Sequence, residues 1–186
     1  MEIVVRDLCK SFRGTVVLDH VSFTAGPGVT CLMAPSGSGK TTLLRVLLGL
    51  ERAESGAVRP GRECRWAAVF QEDRLLEQLD AMGNLRFALG PALELAEGAA
   101  LLAALGLESN GKPVREYSGG MKRRLALCRA LLADADALAL DEPFAGLDAE
   151  NRERAWRCIV SRAASRPVLL VTHEPPPAAG VPVIGL

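Results

Sequence analysis

The residues that most clearly suggest a chemical function lie in a loop rich in glycine and serine. It follows the apolar run Val29 to Met33 and reads Ala34-Pro35-Ser36-Gly37-Ser38-Gly39-Lys40-Thr41-Thr42. This order matches the phosphate-binding pattern G-x-x-x-x-G-K-[ST], except that alanine stands at the first glycine position. Small residues let successive backbone N–H groups point at an anion, and a helix beginning here adds the positive end of its dipole. We expect the Lys40 ammonium to meet the terminal phosphate oxygens and the Thr41 hydroxyl to ligate Mg²⁺.

Ala34 leaves two possibilities open. If the backbone there needs a positive φ, alanine costs on the order of 1 kcal/mol more than glycine; if φ is negative, alanine costs nothing. A loop that only caps a helix would have a similar composition. Its position between an apolar strand and a helix favours phosphate binding over that simpler interpretation.

A second chemical pattern is an apolar strand that ends in two acids. Ala137 to Leu140 are apolar, and Asp141 and Glu142 follow directly. Such a strand would bring Asp141 beside the phosphate loop, where it could hold the water shell of Mg²⁺. Glu142 could then polarise a water for attack on the γ-phosphate. Alone, the pattern indicates no more than a polar turn, but it gains weight beside the loop.

The elements that must position these residues alternate between strands and helices, which predicts an α/β sheet with a largely parallel core. The candidate residues fall at the carboxyl ends of the strands, where such sheets bind ligands. The leucine- and alanine-rich region 73–116 is predicted to be a small helical insertion. The predicted strands are Glu2 to Val5, Val16 to Phe23, Val29 to Met33, Trp66 to Phe70, Ala137 to Leu140 and Val168 to Thr172, with Val181 to Ile184 as a possible closing strand; the predicted helices are Thr41 to Leu48, a helix capped by Ser118 that runs to about Leu132, and Glu150 to Ala164.

A third motif indicates the family. Tyr117-Ser118-Gly119-Gly120-Met121 resembles the LSGGQ signature of the ATP-binding cassette family, the ATPase subunits of ABC transporters. The resemblance covers essentially the whole chain, and its motifs occur in the family's order. Besides the loop, the acidic strand and the signature, they are Gln71 in the glutamine loop, Phe144 to Asp148 after the acidic strand, His173 after an apolar strand, and Phe12 at the place of the aromatic that stacks on adenine.

The resemblance implies a fold and its subdivision. It implies a P-loop NTPase core with a mainly parallel central sheet, an N-terminal antiparallel β portion and a small α-helical subdomain. We expect a single domain over residues 1–186, with the core at 1–72 and 117–186 and the helical subdomain at 73–116. The helical insertion is short, and the chain ends thirteen residues after His173, so a minimal cassette is expected.

The resemblance also implies ATP and Mg²⁺ as cofactors and assigns roles. Members of this family act as head-to-tail pairs, so Ser118, Gly119 and Gly120 would face the γ-phosphate held by a second subunit. Catalysis would involve Glu142, His173 and Gln71, with His173 contacting the γ-phosphate and orienting Glu142. Mg²⁺ would be held by Thr41, by Gln71 and, through water, by Asp141. The other nucleotide contacts implied are Phe12, Pro35, Ser36, Gly37, Ser38, Gly39, Lys40, Thr42 and Asp148, the last joining the two sites across the dimer.

The segment from Val69 to Leu76 and the sequence Ser118 to Met121 are similar to those of importer ATPases for nitrate, sulfonate and taurine. This implies an ATPase that powers uptake of a small solute, with permease subunits, a second ATP-binding subunit and a solute-binding protein as partners, at the cytoplasmic face of the cell membrane. The alternatives are a soluble ABC-type ATPase or a nucleotide-dependent regulator. A kinase or GTPase using the same loop is disfavoured by Ser118 to Gly120.

Composition limits the remaining classes. The 186 residues are 49% hydrophobic and 24% charged, which excludes a disordered, collagenous or coiled-coil chain. With 22 basic and 22 acidic residues, no basic surplus points to nucleic acid. The acidic, weakly apolar start argues against a secretory signal, and the apolar runs are too short to span a bilayer. Five scattered cysteines without C-x-x-C spacing predict reduced thiols and neither disulfides nor a zinc site. The pair Arg123 and Arg124 is expected on a solvated or partner-facing helix face.

Overall fold

The computed structural model describes residues 1–35, 37–61 and 63–185, and within them eight strands and five α-helices alternate as the α/β prediction requires. Two short 3-10 helices are also present: Gly90–Ala92 lies between the second and third α-helices, and Val114–Glu116 lies between the third and fourth. The elements are β1 (Ile3–Phe12), β2 (Thr15–Ala25), β3 (Gly28–Met33), α1 (Lys40–Leu47), β4 (Ser55–Arg59), β5 (Trp66–Val69), α2 (Ala81–Leu89), α3 (Leu95–Ala104), α4 (Gly119–Leu132), β6 (Ala137–Asp141), α5 (Ala149–Ala163), β7 (Pro167–Thr172) and β8 (Val183–Gly185).

A five-stranded parallel sheet forms the centre, in the order β5-β6-β7-β3-β8. Every residue of β6 and β7 is buried, as expected for strands covered on both faces. Val171 of β7 pairs with Asp141 of β6, and Thr172 pairs with Met33 of β3. The carboxyl ends of these three strands therefore meet at one edge. The predicted closing strand is present as β8, which pairs in parallel with β3.

An antiparallel sheet, in the order β2-β1-β4, forms the N-terminal β portion that the resemblance implies. Its first two strands are longer than predicted because their pairing continues through irregularities in register. The sequence prediction missed β4, whose residues are mostly exposed. An edge strand with few apolar residues lacks the alternation by which a strand is recognised.

The helical region packs on the core through aliphatic side chains. Leu85 of α2 and Leu102 of α3 are fully buried in one cluster with Leu125 and Leu127 of α4. Asn84 is also buried; its Oδ1 accepts from the Leu76 N–H at 2.8 Å and its Nδ2 donates to the Leu76 carbonyl at 3.0 Å. The insertion is therefore helical, and its exact division from the core stays a prediction. Among the described residues, no helix supplies the roughly 20 mostly apolar residues of a bilayer span.

Candidate functional site

The loop between β3 and α1 has the backbone of an anion cradle. Gly37 and Gly39 have φ of +84° and +88°, a region that glycine adopts without steric cost. A Cβ on Gly39 would lie 2.6 Å from the carbonyl oxygen of Val17 in β2, so only glycine fits against this strand. Among the residues that the structure describes, no side chain caps the N-terminus of α1 at Gly39. The first N–H groups of this helix are therefore available to an anion.

Alanine at position 34 causes no backbone strain. Among the described residues, the non-glycine positions with positive φ are Asp7, Arg13, His20, Arg74 and Glu142, and Ala34 is not one of them. The possibility that alanine costs nothing is therefore the one that holds. Ser36, the third residue of the predicted loop, lies outside the described residues.

Lys40 turns its ammonium back into the loop. Its Nζ donates to the carbonyl oxygens of Ala34 at 2.6 Å and of Pro35 at 2.8 Å. The Ser38 hydroxyl is buried and has no hydrogen-bond partner within the described part of the chain, although a buried polar group is normally paired. An ammonium, an unpaired hydroxyl and free helix N–H groups together fit the phosphate tail of a nucleotide.

Thr41 and Asp141 bring two oxygen ligands together. The Thr41 hydroxyl donates to Asp141 Oδ2 at 3.3 Å. Asp141 is only 1% exposed, and burial raises its pKa above the usual range, although the hydrogen bond from Thr41 acts in the opposite direction. A buried carboxylate beside a hydroxyl is a hard oxygen pair, the ligand type that Mg²⁺ prefers.

Glu142 and His173 form an acid–base pair beside this pair. His173 Nδ1 lies 2.8 Å from Glu142 Oε1, and this hydrogen bond raises the pKa of His173. Glu142 has a φ of +48°, and its N–H donates to the Val171 carbonyl at 2.9 Å. A positive φ is unusual for glutamate and persists when the surroundings hold it. The neighbouring strand thus fixes the direction in which the Glu142 carboxylate leaves β6.

Gln71 is exposed, and its backbone is tied to α4 rather than to the phosphate loop. Arg123 donates to the carbonyl oxygens of Phe70 and Gln71, the second at 2.9 Å, and pairs with Asp73 at 3.1 Å. Burial raises the pKa of Asp73, and the Arg123 charge opposes that shift. The contact between Gln71 and a metal stays a prediction.

The expectation for Arg123 and Arg124 was wrong. They are 6% and 8% exposed, whereas a solvated or partner-facing surface was predicted. Arg124 donates to the carbonyl oxygens of Leu105 and Gly106, at 2.7 and 2.8 Å. Both guanidiniums are buried because they satisfy carbonyls of distant loops, and the local sequence carries no signal of those partners. Arg123 is therefore a residue of the site region that sequence reasoning missed.

The signature residues lie around a separate cavity of about 490 Å³, with Ser118 as the N-cap of α4. The Ser118 hydroxyl accepts from the Met121 N–H at 3.3 Å. A Cβ on Gly120 would lie 2.9 Å from the Gly146 carbonyl, so α4 and the loop after β6 approach closely. Neither the phosphate loop nor His173 lines this cavity in the described chain. Its lining is Asp73, Ser118, Gly119, Gly120, Arg123, Arg124, Ala145, Gly146, Leu147, Asp148 and Asn151.

Asp148 has a local structural role at the start of α5. Its carboxylate accepts from the Asn151 N–H at 2.8 Å, and this bond lowers the pKa of Asp148. Phe12, at the end of β1, is 44% exposed, and Lys10 Nζ lies 4.8 Å from its ring centroid. An open aromatic face suits stacking on a base. The nucleotide contacts of Phe12, Pro35, Thr42 and Asp148 stay predictions.

Comparison with known proteins identifies the class to which this fold and site belong. Residues 18–145 match the ABC transporter family. A Pyrococcus furiosus protein described as an ABC transporter ATP-binding protein has a TM-score of 0.89 at 20% identity, covering 100% of this chain and 98% of its own, which shows the shared fold.

Individual relatives are more similar in sequence. The chain is 37% identical to the sulfate/thiosulfate import ATP-binding protein of Mycobacterium tuberculosis, over 92% of this chain and 54% of the relative. It is 39% identical to an aliphatic sulfonates import ATP-binding protein of Rhodococcus jostii, over 88% and 69%, and 37% identical to the taurine import ATP-binding protein of Pseudomonas fluorescens, over 85% and 66%.

The chain belongs to the ABC transporter family, which confirms the resemblance found in the sequence. Membership of this family implies ATP binding. The chain spans about half the length of the sulfate/thiosulfate relatives.

Proposed function

We propose that this chain is the ATP-binding and ATP-hydrolysing subunit of an importer for a small solute, of the sulfonate, taurine or nitrate type. The observation that supports hydrolysis best is the cluster at the carboxyl edge of the parallel sheet. There the Lys40 ammonium, the Thr41–Asp141 oxygen pair and the Glu142–His173 pair follow three adjacent strands. A cation, a metal-ligand pair and an acid–base pair are the groups that phosphoryl transfer to water requires.

Each residue then has a defined task. Lys40 and the N–H groups of the loop bind the phosphate tail, and Ser38 supplies a further hydroxyl. Glu142 accepts a hydrogen bond from the attacking water and is the candidate base. With its ring nitrogen 2.8 Å from Glu142, His173 orients that carboxylate and contacts the γ-phosphate. Phe12 offers its exposed face to the adenine.

Thr41 and Asp141 are the residues that would hold Mg²⁺, with Gln71 as a third contact. When bound, Mg²⁺ neutralises charge on the phosphate oxygens. Its fit to this chain rests on the hydroxyl–carboxylate pair 3.3 Å apart and on the hard oxygen chemistry of these donors.

A second ATP-binding subunit completes the site. Ser118, Gly119 and Gly120 begin α4 beside a cavity that the phosphate loop of the same chain does not line. A helix N-terminus with small residues suits an anion, so these residues are proposed to contact ATP held by the partner subunit in a head-to-tail pair. Asp148 lines the same cavity and would join the two sites.

The importer role is supported by the relatives, whose names give import of sulfate or thiosulfate, aliphatic sulfonates and taurine. Permease subunits would supply the membrane path, a solute-binding protein would deliver the cargo, and the chain would work at the cytoplasmic face. Uptake of taurine, sulfate and nitrate by cells that lack the chain, and by cells carrying Glu142→Gln in its place, tests this part.

The nucleotide site is tested first by Lys40→Ala. Loss of charge-assisted hydrogen bonds to phosphate costs about 2 kcal/mol or more, equivalent to a roughly 30-fold loss of affinity. Calorimetric titration of the purified full chain with Mg-ATP measures this change. Lys112→Ala, at an exposed lysine, is the matched control and should bind as the unchanged chain does. Equal affinity of the two variants would refute the phosphate role of the loop.

The shared site is tested by mixing two inactive variants. A chain with Ser118→Arg keeps its own phosphate loop, and a chain with Lys40→Ala keeps its own signature helix. A mixed pair contains one site made of two intact halves, so phosphate release should partly recover on mixing. If mixtures stay as inactive as the separate variants, the head-to-tail arrangement is wrong.

A further inference from the structure

A second group of ligand-bearing side chains lies on the antiparallel sheet, apart from the residues assigned to nucleotide. It consists of Cys9 of β1 and Asp19 and His20 of β2. One ligand atom from each of these side chains lies within 4.8 Å of the others. Cys9 is partly buried, and the other two are exposed. The backbone N–H of His20 donates to Cys9 Sγ at 3.4 Å, which holds the histidine beside the thiol.

The pairing register explains how these residues share one side of the sheet. Leu8 pairs with Val21 and Lys10 pairs with Leu18. Between these pairs, the single residue Cys9 faces two residues of β2, Asp19 and His20. This is a β-bulge, and His20 has the positive φ, +48°, that marks the distortion. In a regular strand, Asp19 and His20 would point to opposite faces; the bulge brings both towards Cys9.

A second bulge on the opposite strand adds an oxygen nearby. Val5 pairs with Phe23 and Leu8 with Val21, so Arg6 and Asp7 together face Ser22. On β1, Asp7 has a positive φ of +47°, close to the +48° of His20 on β2. Its Oδ1 lies 4.0 Å from His20 Nδ1. Two consecutive irregularities, one on each strand, thus converge on the same cluster.

The donor set is typical of one class of ion. A thiolate, an imidazole and a carboxylate are the side chains that bind Zn²⁺, which takes four ligands in a tetrahedron. Hard ions such as Mg²⁺ and Ca²⁺ prefer oxygen alone. Three protein ligands leave a fourth position, which water can fill. Two of the ligands are adjacent in sequence and the third lies on another strand, so no spacing motif in the sequence shows this set.

We propose that Cys9, Asp19 and His20 form a binding site for a borderline-soft divalent transition-metal ion such as Zn²⁺. The ion would join β1 to β2 and stabilise the antiparallel sheet, because an ion that binds the folded chain preferentially raises its stability. The site is independent of the nucleotide function proposed above. A metal ion bound by Cys9 would contradict the prediction from the sequence that the cysteines form no zinc site.

Co²⁺ is the probe of choice because a thiolate ligand gives it a charge-transfer absorption band in the near ultraviolet. Titration of the full chain with Co²⁺ should show this band saturating at one ion per chain, and added Zn²⁺ should remove it. Cys9→Ser should abolish the band. Asp19→Asn and His20→Asn should each weaken Co²⁺ binding by roughly tenfold or more, because losing a direct ligand should cost at least as much as losing a residue that orients one. Asparagine tolerates the positive φ of position 20.

The matched control is Cys158→Ser, which removes another partly buried thiol and should leave the band intact. Binding of Mg-ATP by every variant checks that each is folded. The proposal is overturned if the unchanged chain gives no band, if Cys9→Ser retains it, or if the Asp19 and His20 variants bind Co²⁺ as tightly as the unchanged chain. Should Cys9→Ser fail to fold, the Asp19 and His20 variants decide the question alone.

Discussion

The carboxyl edge of the parallel sheet and the cavity at the start of α4 differ in how their side chains are paired. At the sheet edge, Thr41 bonds to Asp141 and Glu142 bonds to His173, across elements distant in the sequence. At the cavity, Ser118 and Asp148 bond to the helices that they themselves begin. At the edge, side chains from different elements are therefore paired with each other, whereas the cavity is lined by two helix N-termini with the positive ends of their dipoles.

This difference shows what the central sheet contributes. Residues that follow buried parallel strands inherit fixed positions from the ladder, and a glutamate can even be held at a positive φ by the carbonyl of Val171. At a helix N-terminus, by contrast, the capping side chain is held by a hydrogen bond to its own helix. We therefore expect substitutions at the edge to affect chemistry and substitutions near α4 to affect stability or assembly.

Glu142→Gln, at the carboxyl edge of the sheet, is expected to have the largest effect. The amide keeps the size of the side chain and loses its basicity, so hydrolysis should slow by roughly 10²–10⁴-fold while ATP binding persists. The slowed chain should then accumulate as an ATP-bound pair. Phosphate release and light scattering measure the two outcomes. Glu153→Gln, on the exposed face of α5, is the control, and a freely hydrolysing, monomeric Glu142→Gln chain would contradict the assignment.

Arg123→Met tests the region that links the cavity to the glutamine loop. The change leaves Asp73 without its cation and the carbonyls of Phe70 and Gln71 without a donor. Removing one partner of a largely buried pair should lower the free energy of unfolding by about 3 kcal/mol. Arg123→Met combined with Asp73→Leu should lose less, because no uncompensated charge remains.

Urea denaturation measures both Arg123 variants against Arg115→Met, at an exposed arginine. A surface change of this kind should stay within about 0.5 kcal/mol. Should Arg123→Met prove no more harmful than Arg115→Met, the buried link between α4 and the glutamine loop would have no energetic importance.

The smallest effect concerns the protonation of His173. Its pKa is raised mainly by the hydrogen bond to Glu142, so in Glu142→Gln it should fall towards the ordinary value of about 6.5. Because the pKa is raised in the folded state, the pair stabilises the fold fully below the unfolded pKa. That contribution is lost as the pH rises through the raised value. Proton NMR follows the titration, and an unchanged His173 pKa would exclude the pairing.

The sequence predicts the parallel core well because each core strand is a continuous apolar run that ends in a distinctive residue. Val29 to Met33 ends at the glycine-rich loop, and Ala137 to Leu140 ends at two acids, so both the strand and its site are marked. β4 has no such mark, because Ser55–Arg59 is a mostly exposed edge. The resemblance was needed to predict the antiparallel portion as a unit.

Long-range pairing is what the sequence leaves unmarked. Apart from the Asp73 carboxylate, the distant partners of Arg123 and Arg124 are backbone carbonyls 18 to 53 residues away, and backbone atoms carry no sequence signature. The bulges that bring Asp19 and His20 towards Cys9 depend on strand register, which local patterns do not fix. The φ of Ala34 likewise depends on how the loop folds against its neighbours.

The nucleotide proposed to bind at this loop would have to compete for the Lys40 ammonium. The bonds of this ammonium to the carbonyls of Ala34 and Pro35 already replace much of the water that a free ammonium would keep. The phosphate oxygens would take the place of these two carbonyls, so the binding free energy would include the loss of both internal hydrogen bonds.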